Sequence, residues 1–367
     1  MANILYLEWG SFAGKFMERA WKKNGDSFVT FPIDTKSNTR FGEDVTKGIV
    51  MKLMSEHFDY MFSFNYYPVA AMAAKAARVK YISYVYDSPY AMLYSKTIFL
   101  DTNEIYVFDK KEAEKLRAKG ARTVHYLPLA TDVEYYDSLP LKNIYTTDVS
   151  FVGQLYTDEK QRLYKRFEKL DEYTRGYLDG LVDLQKNLYG MNVLEEMLTP
   201  TLLSKMEEAS PLMDHPDAFA TKEWTYANFY LYREVTARER SEIANSLKNY
   251  DFKVYSGLDY YKEAPYVYRN SKINLNITLR SIFSGIPLRV FDIMGNGGFL
   301  LTNYQEDMLE FFEPDVDFVY YEDQKDLICK IDYYLEHETK RQEIALNGYE
   351  KIKAHHNFYD RLVNFNL

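Results

Sequence analysis

The feature that most restricts this chain is a rhythm, in which short apolar runs alternate with amphipathic stretches, twice over. In the first half the runs are Asn3–Leu7, Phe28–Phe31, Asp59–Phe64, Lys80–Tyr86, Glu104–Phe108 and Thr123–Leu127. Helical spacing fills the intervals at Gly14–Lys23, Val45–His57, Val69–Ala77 and Lys110–Lys119. Strand and helix in turn predict a parallel sheet covered on both faces. The run from Leu127 to Asp132 closes this block, because Pro128 discourages further sheet. A second block opens at Asp148–Gly153 and resumes at Phe252–Tyr255, Ile273–Ile277, Gly298–Thr302 and Phe318–Tyr320. From Gln324 to about Phe365 the spacing is helical, with Leu327, Ile331, Tyr334 and Leu335 on one face. The expected class is α/β, with two doubly wound, Rossmann-like units over 1–146 and 147–367.

Between the blocks the rhythm breaks. From about 157 to 246 almost no strand pattern appears, and Arg166, Leu170, Tyr173, Tyr177, Leu181 and Leu184 recur at helical steps. Pro200, Pro211 and Pro216 divide the stretch. It reads as a helical insertion in the second unit. Three roles stay open for it: choosing an acceptor, forming a homodimer, or capping an apolar face.

Composition narrows the function. The chain of 367 residues carries 45 Lys and Arg against 54 Asp and Glu, a net charge of −9, so a broad nucleic-acid surface is not expected. No apolar run approaches the roughly 20 residues that cross a bilayer. The start lacks a basic and apolar leader, which gives the expectation of a cytoplasmic protein. The single cysteine, Cys329, excludes an internal disulfide and a cysteine metal cluster. Tyr, at 35 residues, fits either sugar-handling faces or a compositional bias.

Ligands of parallel sheets lie beyond the carboxyl ends of the strands, and that rule selects candidates. After the first strand come Glu8, Gly10 and Ser11, where two glycines, Gly10 and Gly14, allow close backbone approach. The alternative is an ordinary tight turn. After the fourth strand, Asp87 suits a general base or a hydroxyl acceptor, or else a turn. Asp109 faces the same choice and suits a cap for the Lys110–Lys119 helix. The densest region runs from Asn274 to Gly298. A strand carries Asn276 and ends near Ile277, Thr278 follows it, a loop carries Arg280, and a helix beginning near Pro287 puts Arg289 in its first turn and Asp292 three residues later. A diphosphate suits the guanidinium groups and exposed amides, and a ribose suits the carboxylate. An internal Arg–Asp pair with a glycine helix stop is the structural alternative. Asp315-Val316-Asp317 reads as a surface turn, and His355-His356 lacks the carboxylates of a metal site.

The segment Ser271–Arg361 resembles the C-terminal domain of CgeB-like (spore maturation protein type) glycosyltransferases. The residues that carry the likeness are Ser271-Lys272-Ile273-Asn274-Leu275-Asn276, Pro287-Leu288-Arg289-Val290-Phe291-Asp292, Gly297-Gly298-Phe299-Leu300-Leu301-Thr302 and Asn347-Gly348-Tyr349. The first half, through Tyr86-Asp87-Ser88-Pro89 and Tyr126-Leu127-Pro128-Leu129-Ala130, is similar to the domain that often precedes it. The resemblance implies the two-Rossmann GT-B fold, an acceptor-side first domain and a nucleotide-sugar site in the second. Retaining members of the wider class carry two glutamates eight positions apart, where this chain has Ser284 and Asp292.

The expected function is metal-independent transfer of a sugar from a nucleotide-sugar donor to an acceptor hydroxyl. Tyr255, Ser256, Gly257, Asn276, Thr278, Arg280, Arg289 and Asp292 would hold the donor. Gly10 and Ser11 would face the acceptor, with Asp87 as first and Glu8 as second choice of base. No cofactor is expected, since the nucleotide sugar is a substrate; the acceptor is a protein, a glycan or a small molecule. The alternatives are a non-catalytic binding or scaffold protein on the same frame, and a nucleotide-sugar 2-epimerase.

Overall fold

The computed structural model describes residues 1–34, 38–159 and 162–365. Among the described residues, eleven strands form two parallel sheets. The first contains β1 (Asn3–Glu8), β2 (Ser27–Pro32), β3 (Tyr60–Phe64), β4 (Lys80–Val85), β5 (Asn103–Val107) and β6 (Val124–Tyr126), in the order β2-β1-β3-β4-β5-β6. The second contains β7 (Thr147–Val152), β8 (Phe252–Tyr255), β9 (Ser271–Asn276), β10 (Leu300–Asn303) and β11 (Val319–Tyr321), in the order β11-β10-β9-β7-β8. Each apolar run of the sequence reading falls on one of these strands. The agreement has a physical cause: strands buried on both faces, such as β3 with all five residues buried, need continuous apolar runs.

Strand order reverses between β1 and β3 in the first sheet and between β7 and β9 in the second. These are the two positions where successive crossovers leave in opposite directions and open a crevice.

The insertion contains helices at Glu172–Lys186, Pro200–Ala209 and Tyr232–Ser246, shorter turns between them, and its own core around Phe167, Leu178, Leu203, Met206 and Leu231. Residues 160 and 161 of this stretch lie outside the described residues. It does not hang free, but crosses to the first domain. Lys96 N donates to Asp217 O (2.7 Å) and Phe219 N to Tyr94 O (2.9 Å), a short strap between the halves. Arg40 Nε bonds both Asp217 oxygens (3.0 and 3.1 Å). Trp224 is buried in the first domain's core, 4.0 Å between ring centroids from Tyr94. Burying a side chain of that size contributes about 2–3 kcal/mol. The chain's last helix, Phe358–Leu362, also returns to the first domain, where Phe358 packs on Phe64 and Arg361 donates to the carbonyls of Pro128 and Leu129. One continuous apolar core therefore spans both halves.

One expectation changes. Asp317 is no surface residue: it is 3% exposed, accepts from Glu313 N (2.7 Å) and pairs with Lys351, so it fastens the turn from inside. His356 is buried and takes a guanidinium proton of Arg361 on Nδ1 (2.7 Å). Burial and that charge push its pKa down to about 3.

Candidate functional site

At the second reversal the ends of β7 and β9 lie side by side. Phe151 is wholly buried there, and two guanidinium groups, those of Arg240 and Arg289, each lie 5.0 Å from its ring centroid. Arg289 stands in the first turn of the Leu288–Gly295 helix, as the sequence indicates, and its Nη1 donates to Asn276 Oδ1 (2.9 Å). Asn276 is itself fixed, because its amide donates to Thr278 and Thr302 hydroxyls (3.0 and 2.9 Å). Arg240 is 2% exposed; it donates to Gln154 O (2.6 Å) and to Ile277 O, the chain just past the two strand ends. Its Nε has no protein partner. Neither arginine has a carboxylate within ion-pair distance among the described residues. Burial, and then Arg289, push the Arg240 pKa down to about 10, and burial also lowers that of Arg289. Two neighbouring like charges, one buried and one half-buried, with only neutral acceptors leave an unmet demand for an anion. Gly153 makes room for them: a Cβ there would stand 2.8 Å from Arg289 Nη2, and its φ is +154°.

Arg280 does not join them, which corrects the sequence expectation. Its guanidinium lies over the Tyr189 ring at 3.7 Å, pairs with Glu239 (2.9 Å), and donates to the carbonyls of Leu188 and Lys186. Those donors bind the insertion to the strand-end loop. Asp292 is 1% exposed, and its Oδ1 accepts from Thr131 (2.8 Å), Tyr136 (2.8 Å) and Tyr260 (3.0 Å). Burial raises its pKa to about 6. It thus joins the segment between the domains to the loop after β8. Tyr255 O receives Gly153 N (2.8 Å), beside the same crevice, while Ser256 and Gly257 are exposed and Gly257 takes φ +72°. Ser284 bonds Asp109 across the domain junction (3.1 Å).

The first sheet faces this crevice. Asp87, at the end of β4, is exposed but lies in a concave, crowded position, and that surrounding protein raises its carboxyl pKa. Asn65 orients it, with Nδ2 2.7 Å from Asp87 Oδ2 and Oδ1 accepting from the amides of Tyr86 and Asp87. Glu8 is turned onto its own loop: it accepts from Tyr6 OH, Gly10 N and Ser11 N (2.9 Å). A base of that kind is already occupied by the turn it closes, so Glu8 and the Gly10–Ser11 amides form the tight-turn alternative of the sequence reading.

The crevice is drawn together in this structure. Tyr261 OH donates to Phe12 O, Phe12 and Tyr260 rings are 5.6 Å apart, and Ser88 Oγ donates to Ser281 O (3.3 Å). A groove of about 600 Å³ lies elsewhere, beside Arg19, Asp132 and Lys353, where Arg19 and Asp132 already pair. The described residues contain no group of three or more His, Cys, Asp or Glu arranged to hold a metal ion, and no helix among them is long and apolar enough to cross a membrane.

Sequence reasoning missed Asn65 and Arg240. Asn65 follows the apolar run of β3, so the strand-end rule that selected Glu8 and Asp87 also covers it. Arg240 carries no local signal, because only the packed insertion brings it to the strand ends.

The two parallel sheets agree with the solved structures this chain is similar to. Sucrose-phosphate synthase (tll1590) from Thermosynechococcus elongatus superposes with a TM-score of 0.55 at 9% identity, over 99% of this chain and 98% of that one. The fold is GT-B. The E. coli trehalose-6-phosphate structure bound with UDP-2-fluoro glucose gives 0.55 at 10% identity, covering 99% and 98%. Anabaena Alr3699/HepE, in complex with UDP and glucose, gives 0.54 at 10% identity with the same coverage. Residues 233–366 match the model of a family described as glycosyl transferase-like. No curated protein matches the chain. The matched span begins inside the insertion and contains both Arg240 and Arg289, while β7 with Phe151 lies outside it.

Proposed function

We propose that this protein is a glycosyltransferase that moves a sugar from a nucleoside-diphosphate sugar to an acceptor hydroxyl without a metal, of the CgeB-like type and acting in the cytoplasm. The observation that carries the reading is the Arg240–Phe151–Arg289 stack at the β7–β9 reversal. In glycosyl transfer the leaving diphosphate gains charge as the sugar bond breaks. Two preorganised guanidiniums in a water-poor crevice stabilise that charge, and one such donor is worth about 3 kcal/mol of barrier. The first amides of the Leu288–Gly295 helix add to it.

Asp87 serves as base toward the acceptor hydroxyl. A carboxyl raised by its surroundings takes up a proton more readily than a free one. Asn65 keeps one oxygen fixed and leaves the carboxylate aimed from the β4 end. Asp292, with its oxygen already shared by three hydroxyls, serves the ribose side as part of a positioned network, and Tyr255, Ser256 and Gly257 line the same side.

The direct test is calorimetric titration with uridine, guanosine and thymidine diphosphates, followed by release of nucleoside diphosphate from the matching sugar donor. Binding with turnover supports transfer. Binding with no turnover under any acceptor supports the non-catalytic reading, which the occupied Glu8 and Ser284 favour. No binding of any nucleotide sinks the proposal.

A further inference from the structure

A third guanidinium approaches the crevice from a direction that the donor site does not explain. The helix that begins at Lys222 is interrupted by a wide turn, Ala227–Leu231, with π-type spacing, and resumes at Tyr232. Such turns insert one residue, rotate the helix beyond them, and recur at functional sites. Arg233 is the second residue after it. Its guanidinium lies 5.9 Å from the Tyr156 ring centroid and 6.0 Å from that of Phe229. Tyr156, in a left-handed conformation with φ +58°, also carries Arg240 at 5.2 Å. The Arg233 guanidinium makes no hydrogen bond or ion pair among the described residues. The adjacent carboxylate, Glu234, is taken by Arg162 and Arg238. On the other side, its charge reaches Asp87 and holds that carboxyl down against the effect of burial.

We propose that Arg233, supplied by the insertion, is a receptor for a substrate oxyanion lying between Asp87 and Tyr156. The inference rests on the glycosyl-transfer reading above and names a contact that reading does not contain. Its aromatic neighbours hold the planar group in place without neutralising it, which is how a guanidinium is kept ready for a bidentate anion. The oxyanion is a phosphate or carboxylate oxygen, and it has two sources: the terminal phosphate of the leaving diphosphate, or an anionic group on the acceptor.

The test compares wild type, Arg233→Ala and Arg233→Lys. Because the Arg233 guanidinium makes no hydrogen bond among the described residues, both variants keep the wild-type melting temperature to within about 2 °C. Nucleoside diphosphate is titrated first; inorganic phosphate is then titrated into protein saturated with it. A loss of diphosphate affinity of about tenfold or more in the alanine variant, partly restored by lysine, assigns the receptor to the leaving group. Unchanged diphosphate affinity with phosphate binding lost in the alanine variant assigns it to the acceptor. A variant that matches wild type in both titrations overturns the inference and leaves the transfer reading standing. Wild-type protein that binds no nucleotide overturns both.

Discussion

Asn65 holds Asp87 from a backbone that few side chains adopt. Asn65 directly follows β3 with φ +57°, is 1% exposed, and places its amide nitrogen 2.7 Å from the Asp87 carboxylate while its amide oxygen accepts from the Tyr86 and Asp87 backbone N–H groups. Left-handed residues other than glycine cost about 1–3 kcal/mol and persist where the surroundings over-determine them. Asn65→Gly keeps the backbone and removes the bonds. Without the amide, the Asp87 carboxyl rises further, since that bond favours its ionised form. The acid limb of the transfer rate then moves to higher pH, and turnover falls about tenfold to a hundredfold. A pH–rate profile of both proteins checks this.

The two arginines on Phe151 separate in a mutational test. Arg289 makes one hydrogen bond, so Arg289→Ala costs about 1 kcal/mol of stability and about a hundredfold or more in turnover. Arg240 satisfies two buried carbonyls, so Arg240→Ala costs about 2–4 kcal/mol of stability as well as activity. Melting temperature and donor turnover, measured together, distinguish the two. Equal loss of stability in both would contradict the packing described.

Much of the fold is legible in the sequence. The strands lie in short apolar runs, because parallel strands covered on both faces leave little alternation to misread. Arg289 is legible because Pro287 marks a helix start. Arg280 is not: its position after β9 is right for a ligand, but a long side chain can turn either way, and Glu239 lies on a helix about 40 residues away in sequence. Arg240 and Arg233 are hidden in polar, helical sequence that reads as solvent-facing until the insertion is folded against the strand ends.

The junction between the halves depends on Asp109. This residue caps the Lys110–Ala118 helix and receives Phe283 N (2.5 Å), Ser284 N (3.2 Å) and Ser284 Oγ (3.1 Å) from the other domain. Asp109→Ala leaves those amides buried and costs about 2–4 kcal/mol. Gly285→Ala acts from the opposite side, since its Cβ would stand 2.8 Å from Asp109 Cα. Both variants lower the urea midpoint, and a domain fragment released early by limited proteolysis marks the lost contact.

Stability at low pH depends on His356. Its folded pKa of about 3 lies below the ordinary 6.5, so the folded protein binds fewer protons than the unfolded chain between those values. The stabilisation is present above pH 6.5 and declines as pH falls toward 3, by about 1.4 kcal/mol per unit. Asp292 and Asp307, both raised to about 6, have the opposite sign: their stabilisation is present below the ordinary carboxyl range near 4 and is lost as pH rises through 6. His356→Asn keeps an acceptor for Arg361 and removes only the first effect. The difference between wild-type and variant unfolding free energy therefore shrinks steadily from pH 6.5 downward.

The strap at Tyr94–Lys96 and the returning final helix lace the halves together at points far from the linker. Swinging the halves apart about the linker would have to break the strap's two backbone hydrogen bonds and undock the final helix, so any such opening is coupled to both.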